Sequence, residues 1–312
     1  MRAVVVRNYG GPQALEVVDV PTPEPGPGQV RIRVEAAAVN PVDAATRQGL
    51  MNVARPGVIR ERDQVGIGWD VAGTVEAAGP GVTSLGLGER VIGLRDRLDQ
   101  PTGTYAEQVV LDAADVAPAP AGVDSAAAST LPLNGLTALQ ALDLLGLTAG
   151  QTILVTGAVG GLGGFGVELA SMRGLRVVAA AGDNDEKLAR ELGATAFVPR
   201  SADLAAAVRE LVPGGVDAVF DAAALGYPAL DAVRADGSFA AFVGSGPVSL
   251  RGIRVVPVNV HADGAALAGL SALAATGKVA LRVAGTYSLA EAPKAHEQLE
   301  AGGVRGRLVL IP

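Results

Sequence analysis

The sequence predicts an α/β chain of two domains, one a doubly wound, mostly parallel sheet and the other β-rich and barrel-like. Three observations predict it. Residues 152–260 alternate short apolar runs with helical stretches of about ten residues, the pattern of βαβ crossovers. Residues 1–120 carry short β-like runs broken by Gly and Pro, as in the turn at 21–28, and this punctuation suggests an antiparallel barrel. Between an apolar strand and a helix, residues 157–166 form a glycine-rich turn.

Taken in order, the β-like runs of the first domain lie at 2–6, 14–20, 29–38, 73–78, 90–94 and 105–111. The second domain opens with a strand at 152–156. Leu162, Phe165, Gly166, Leu169 and Ala170 then fall at i, i+3, i+4, i+7 and i+8, a helix with one face against a sheet, and Gly174 ends it. Strands follow at 176–180, 195–198, 216–220 and 238–243, with helices at 185–192, 202–211 and around Leu230. A strand at 253–260 completes six. Beyond residue 263 come a helix (265–275), a strand (283–287), a helix (289–300) and a last strand (307–311). This tail is expected to fold back onto the first domain. Residues 1–120 and 263–312 then form one split domain, with 121–262 inserted as the other.

Composition narrows the function classes. The 312 residues leave room for two cores. With 49% apolar and 18% charged residues the chain reads as compact and globular. A net charge of −7 argues against a nucleic-acid partner or an anionic membrane surface. Residues 1–6 read as a strand rather than a leader, and no apolar run of about 18 residues occurs. The absence of cysteine excludes disulfides and thiolate metal sites and fits a cytoplasmic protein.

Ala158, Gly160 and Gly163 occupy the G-x-G-x-x-G spacing, with Ala in the first place, and Gly161 and Leu162 lie between. That spacing needs a tight turn, then bare backbone beside phosphates, then close packing of helix on strand. Backbone N–H groups and a helix N-terminus can there meet the pyrophosphate of a dinucleotide. A flexible loop is the alternative; the strand before and the helix after favour a Rossmann dinucleotide-binding domain.

Coenzyme choice is read at the end of the second strand. About 20 residues past the glycines, an acidic side chain would bind a ribose 2′-OH and select NAD. Counting from Gly160 leads to 180–184, where Ala181 occupies the selecting position and admits a 2′-phosphate. Lys187 and Arg200 can meet its charge. Asp183, followed by Asn184, is the counter-signal: it can serve NAD(H), or act as a turn or N-cap residue. NADPH is favoured.

Several segments together resemble the zinc-independent, quinone oxidoreductase-like branch of the medium-chain dehydrogenase/reductase family. They are Val39-Asn40-Pro41-Val42-Asp43, the stretch 68–75 (GWDVAGTV), Gly103-Thr104-Tyr105-Ala106-Glu107, the stretch 131–138 (LPLNGLTA), the 157–164 turn, and 302–307 (GGVRGR). The resemblance implies that the split domain is a GroES-like, β-rich catalytic domain. It also implies that Phe242 and Val243 pass backbone groups beside the nicotinamide carboxamide, and that Thr137 contacts the nicotinamide, with helix packing as the alternative.

Zinc-dependent relatives hold a catalytic metal where this chain has Asn40, Trp69 and Leu133; Trp and Leu donate no lone pair to Zn²⁺. The expectation is therefore no zinc, with His261 and His296 as surface or structural residues. By resemblance Asn40 and Asp43 sit at the cleft between the domains, as candidate catalytic residues. The plain alternatives are a turn residue for Asn40 and, for Asp43, an N-cap of a helix over 44–48. Many relatives carry a tyrosine where this chain has Ala45, so no strong proton donor is evident. The expected activity is NADPH-dependent hydride transfer to a quinone or similar electron-poor carbonyl. Reduction of an enone or enoyl thioester, and a non-catalytic NADPH-binding, crystallin-like or sensor role, are the alternatives. The apolar edge strand at 253–260 invites pairing, and relatives use it to dimerise, so a homodimer is expected.

Overall fold

The computed structural model describes residues 1–54, 56–59, 62–98 and 101–312. The chain starts with β1 (Arg2–Val6), β2 (Leu15–Asp19) and the long β3 (Gln29–Val39), followed by helices α1 (Pro41–Arg47) and α2 (Leu50–Ala54). Strands β4 (Val65–Gly66), β5 (Asp70–Ala78), β6 (Arg90–Leu94), β7 (Gln108–Asp112) and β8 (Val116–Pro118) lead to α3 (Ser125–Ala128) and α4 (Pro132–Leu145). Next come β9 (Thr152–Thr156), α5 (Gly161–Met172), β10 (Arg176–Ala181), α6 (Glu186–Glu191), β11 (Ala196–Pro199), α7 (Leu204–Leu211), β12 (Val216–Asp221), α8 (Tyr227–Leu230), β13 (Val233–Ala241) and β14 (Arg254–Pro257). The chain ends with α9 (Gly264–Ala275), β15 (Val283–Ser288), α10 (Ala292–Ala301) and β16 (Arg307–Ile311).

Two compact units result. The first comprises 1–136, 261–277 and 281–312; the second comprises 137–260 and 278–280. Residues 121–136 thus pack with the first unit, past the boundary near 120 read from the sequence. The reason is local: Leu133 and Asn134, in the first turn of α4, bond to Asp70 and Asn40 of that unit.

In the first unit β3 organises the sheet. Its residues 30–36 pair with β5, 29–33 with β7, and 37–39 with β16. The sheet order is β15-β16-β3-β5-β6-β8, and β2-β1-β4 forms a smaller sheet. Val30, Ile32, Val71, Val75, Ile92 and Val109 are wholly enclosed and form its core. The pairing of Leu308 with Val39 brings the C-terminal strand to the end of β3, as the fold-back of the tail required. Two expectations shift. The run at 105–111 is regular strand only over Gln108–Asp112, with an isolated bridge from Ala106 to Ala3. The helix expected at 44–48 instead spans Pro41–Arg47, with Asn40 as its N-cap, Pro41 at N1 and Asp43 at N3. Asp43 is therefore not the cap; its carboxylate accepts the Asn40 backbone N–H at 2.7 Å. Proline at N1 and an acid at N3 are favourable first-turn chemistry.

In the second unit the six strands run in the order β11-β10-β9-β12-β13-β14, all parallel. The order reverses between β9 and β12, creating a topological switch point at their C-terminal ends. Every residue of β9 is buried, as continuous apolar runs in parallel sheets require. Leu154, Val219 and Phe239 pack on one face with Val208, Ala229 and Leu230. On α5, Gly166 lies so close to the Phe220 ring that a Cβ there would stand 3.0 Å from it. Strand β13 starts five residues before the expected 238 and ends at Ala241, so Phe242 and Val243 lie past its end. The strand expected at 253–260 is regular only over Arg254–Pro257, and His261 lies outside the strands.

Two glycine substitutions separate a packing glycine from a dispensable one. A Cβ on Gly163 would meet the Gly157 carbonyl oxygen at 2.1 Å, so Gly163→Ala is expected to destabilise by about 1–3 kcal/mol or more. Gly269, exposed in the interior of α9, has nothing within 4 Å of its added Cβ. Gly269→Ala is expected to stabilise by about 0.5–1 kcal/mol. Thermal or urea unfolding of both variants reads the two signs.

Candidate active site

The residues singled out from the sequence fall into two clusters, one in each unit. In the second unit the glycine turn sits at the switch point. Gly157 adopts φ +57°, and Gly160 is the N-cap of α5, with no side chain to occupy the helix terminus. The first turn of α5, Gly161–Leu162–Gly163, presents its N–H groups there, while Ala158 is anchored by donating its N–H to the Ala180 carbonyl at 3.1 Å. Gly163 packs directly on the Gly157 backbone, and a helix N-terminus opening on such a turn suits a diphosphate, because its N–H donors and helix dipole favour an anion.

The ends of β10 and β11 carry the next residues. Ala181 is buried as the last residue of β10. Asp183 accepts the Ser201 N–H at 3.1 Å, tying it to the turn after β11. The α6 N-cap is Asp185, which accepts the Gly182 N–H at 3.1 Å, so Asp183 does not serve as the cap. The Lys187 side chain is 91% exposed, with Glu191 3.9 Å away. Arg200 and Asn184 are also exposed. Past the end of β13, Phe242 packs on Phe220 at 4.4 Å between ring centroids, and Val243 is exposed. Thr137 lies in α4, three residues beyond Asn134, and is buried.

In the first unit Asn40 and Asp43 belong to a buried polar knot that the sequence did not reveal. Asn40 follows β3, Asp70 opens β5, Arg307 opens β16 and Asn134 sits in the first turn of α4. The Asn40 amide donates to Asp70 at 2.7 Å and to the Ala38 carbonyl at 3.3 Å, and its oxygen accepts from Asn134 at 3.0 Å. Asp70 also accepts the Leu133 N–H at 2.6 Å, and Arg307 donates to the Asn134 side-chain oxygen. Asp43 accepts from the Tyr105 hydroxyl at 2.9 Å, and that hydroxyl lies 3.4 Å from His296 Nε2. Asn40, Asp43, Asp70, Tyr105 and His296 have no accessible surface at all.

Burial sets the electrostatics here. Loss of solvent, opposed by the hydrogen bonds from Asn40 and Tyr105, pushes Asp43 up to about 7. Burial raises Asp70 to about 7 in the same way, against the bonds from Leu133 and Asn40. The charge of the buried Arg307 guanidinium favours ionisation of both carboxyls, and Arg307 is itself lowered to about 10 by burial. Burial and the charge of Arg47 push His296 down to about 3, so its ring is neutral at ordinary pH. Among the described residues, Asp43 Oδ1 and His296 Nδ1 find no hydrogen-bond partner. The sequence offered one faint signal for this knot: isolated charges opening apolar strands, Asp70 before Val71-Ala72 and Arg307 before Leu308-Val309-Leu310.

Fold and site together define a class: an oxidoreductase architecture pairing a GroES-like β unit with a dinucleotide-binding Rossmann sheet. The comparisons with known proteins place it more closely. Residues 26–121 match the alcohol dehydrogenase GroES-like domain, and residues 192–310 match the zinc-binding dehydrogenase domain. The chain is 32% identical to the quinone oxidoreductase of Pseudomonas aeruginosa, over 97% of both chains. It is also 32% identical to the chloroplastic NADPH-dependent alkenal/one oxidoreductase of Arabidopsis thaliana, over 100% of this chain and 80% of that one. The structure of the quinone oxidoreductase from Coxiella burnetii superposes with a TM-score of 0.88 at 29% identity, covering 100% of this chain and 99% of that one. The protein belongs to the medium-chain dehydrogenase/reductase family, in its quinone oxidoreductase-like branch, and is an oxidoreductase that uses a nicotinamide coenzyme.

The raised Asp43 makes a pH-dependent test. In the unfolded chain its carboxyl ionises near 3.9, and in the fold near 7. Between those values the native state holds a proton that the unfolded state has released, so this group's contribution to stability falls as pH rises through the window. Asp43→Asn keeps the acceptor for Asn40 and Tyr105 but cannot ionise. Its melting temperature relative to wild type is expected to climb between about pH 4 and pH 7. A constant difference across that range would contradict a raised Asp43.

Proposed function

We propose that the protein is an NADPH-dependent, metal-independent reductase of quinones or similar electron-poor carbonyls. The observation that carries this reading is the glycine turn at the switch point, where Gly160 is the N-cap of α5 and Gly163 packs directly on the Gly157 backbone. When bound, the coenzyme supplies the hydride, and the protein supplies alignment and exclusion of water. The N–H groups of Gly161, Leu162 and Gly163 hold the diphosphate. The small Ala181 leaves space for a 2′-phosphate, which Lys187 and Arg200 meet, while Asp183 is occupied by Ser201. Phe242 and Val243 offer backbone groups to the carboxamide, and Thr137 contacts the nicotinamide.

Zinc does not fit the donor set. Of the three positions that hold the metal in zinc-dependent relatives, Trp69 and Leu133 carry no ligand atom, and the Asn40 side chain is engaged by Asp70, Ala38 and Asn134. Asn40 and Asp43 therefore enter the proposal as groups that shape the turn after β3. With Ala45 where relatives carry tyrosine, an acceptor whose reduced form is a stabilised oxyanion suits the protein. An enone, giving an enolate after hydride addition at its β-carbon, is the second reading; the Arabidopsis relative named as an alkenal/one oxidoreductase favours it. A cytoplasmic homodimer joined along β14, whose Val255 and Val256 are half-buried, completes the proposal; scattering that gives the mass of one chain would remove the dimer.

The test is NADPH consumption by chelator-treated protein with a panel of quinones and enones. Turnover unaffected by chelation, and lower with NADH, is the expected result. Tight NADPH binding without turnover on either class would leave a sensor, and zinc-restored activity would refute the metal-independent reading. Arg200→Ala is expected to raise KM for NADPH about tenfold while leaving KM for NADH nearly unchanged.

A further inference from the structure

Beside the glycine turn lies a buried side-chain pair that the dinucleotide motif does not include. Thr156 is the last residue of β9 and Asp221 the last of β12, and the strand register sets them opposite each other across the switch point. Both are buried, and the Thr156 hydroxyl donates to Asp221 Oδ1 at 2.7 Å. The pair then reaches into the loop after β12. Thr156 Oγ1 accepts the Ala223 N–H at 3.0 Å; Asp221 accepts Leu225 N–H at 3.1 Å on one oxygen and Gly226 N–H at 2.8 Å on the other. Four hydrogen bonds therefore end on two side chains, and three of them hold loop backbone.

The loop held in this way touches the turn. A Cβ built on Gly157 would lie 3.4 Å from both the Cβ and the backbone nitrogen of Ala223. Within the loop Ala224 adopts φ +53°, a left-handed conformation that non-glycine residues seldom take up without outside constraint. Here the constraint is visible: the residues on either side of Ala224 donate to Thr156 and Asp221.

We propose that Thr156 and Asp221 form a positioning clamp that locks residues 222–226 against the glycine turn as a preformed wall of the coenzyme crevice. The inference rests on the coenzyme reading above and adds two residues that do not themselves touch the ligand. Preorganisation of this kind acts on affinity, because an unclamped loop must be ordered when the coenzyme binds. Removing the Thr156 hydroxyl frees the Ala223 N–H and takes away one of the three hydrogen bonds that Asp221 accepts, while the apolar volume is kept by Val.

Fluorescence titration of the full-length protein with NADPH, alongside steady-state kinetics, tests the clamp. Thr156→Val is expected to weaken NADPH binding about tenfold, with a smaller fall in kcat at saturating coenzyme. Thr156→Ser, which keeps the hydroxyl, is expected to restore most of the affinity; a role in packing alone would not be rescued this way. Asp221→Asn removes one of two accepting oxygens and is expected to weaken binding as well, and it decides the matter should Thr156→Val fail to fold. A wild-type protein that does not bind NADPH overturns the coenzyme reading itself. A wild-type protein that binds, with Thr156→Val and Asp221→Asn binding equally well, overturns the clamp alone.

Discussion

The close approach of α5 to the end of β9 is the contact on which the coenzyme half of this protein depends. A carbonyl oxygen of Gly157 stands where a Cβ of residue 163 would be, so glycine is required by sterics and not by flexibility. The same contact sets the helix N-terminus against the switch point. The neighbouring Phe220 presses on Gly166 one turn later, repeating the requirement. Helix, strand and turn are thus fixed relative to one another by excluded volume, while the Thr156–Asp221 bond fixes the facing loop by hydrogen bonding.

The first unit is organised on a different principle. Its strands β3, β5 and β16 meet where polar residues at their ends share hydrogen bonds out of water. Two carboxyl groups near neutrality of charge and one guanidinium occupy this space, and partial protonation there lowers the cost of burying them. Such a knot adds little net stability compared with an apolar core, but it tolerates no loss of one partner. What it supplies is register: Asn40 can satisfy Asp70 and Asn134 together only when β3, β5 and α4 are aligned.

Much of the fold was legible because its signals are local. Apolar strands fully buried in a parallel sheet, helices stopped by Gly174 or Gly193, and a turn in which Gly163 and Gly166 have steric reasons are readable within a short window. The return of the C-terminal strand followed from the lack of any nucleotide-binding logic in the tail. Asn40 and Asp43 were singled out by family resemblance; Asp70, Tyr105, Asn134 and Arg307 lay in the segments that carry the resemblance but were given no role. Asp70, Tyr105, Asn134, His296 and Arg307 come from five separate stretches of chain, and only tertiary pairing unites them. The cap of α1 was displaced by three residues because Asp43 is a good cap in isolation; Asn40-Pro41 ahead of it is a better start, leaving Asp43 for the third position. Thr156 and Asp221 escaped for the same reason as the knot: each looks like an ordinary strand end until the register sets them side by side.

Together these features support the proposal that the buried polar side chains of this oxidoreductase hold backbone in place and leave the reactive chemistry to the coenzyme. The direct measurement of that claim is the rate of oxidation of NADPH deuterated at C4, using protein dialysed against a chelator and an electron-poor acceptor. A primary isotope effect, unchanged when zinc is added back, is the result expected if hydride passes straight from the nicotinamide without a metal. Rates that are insensitive to the label and appear only with added zinc would contradict it.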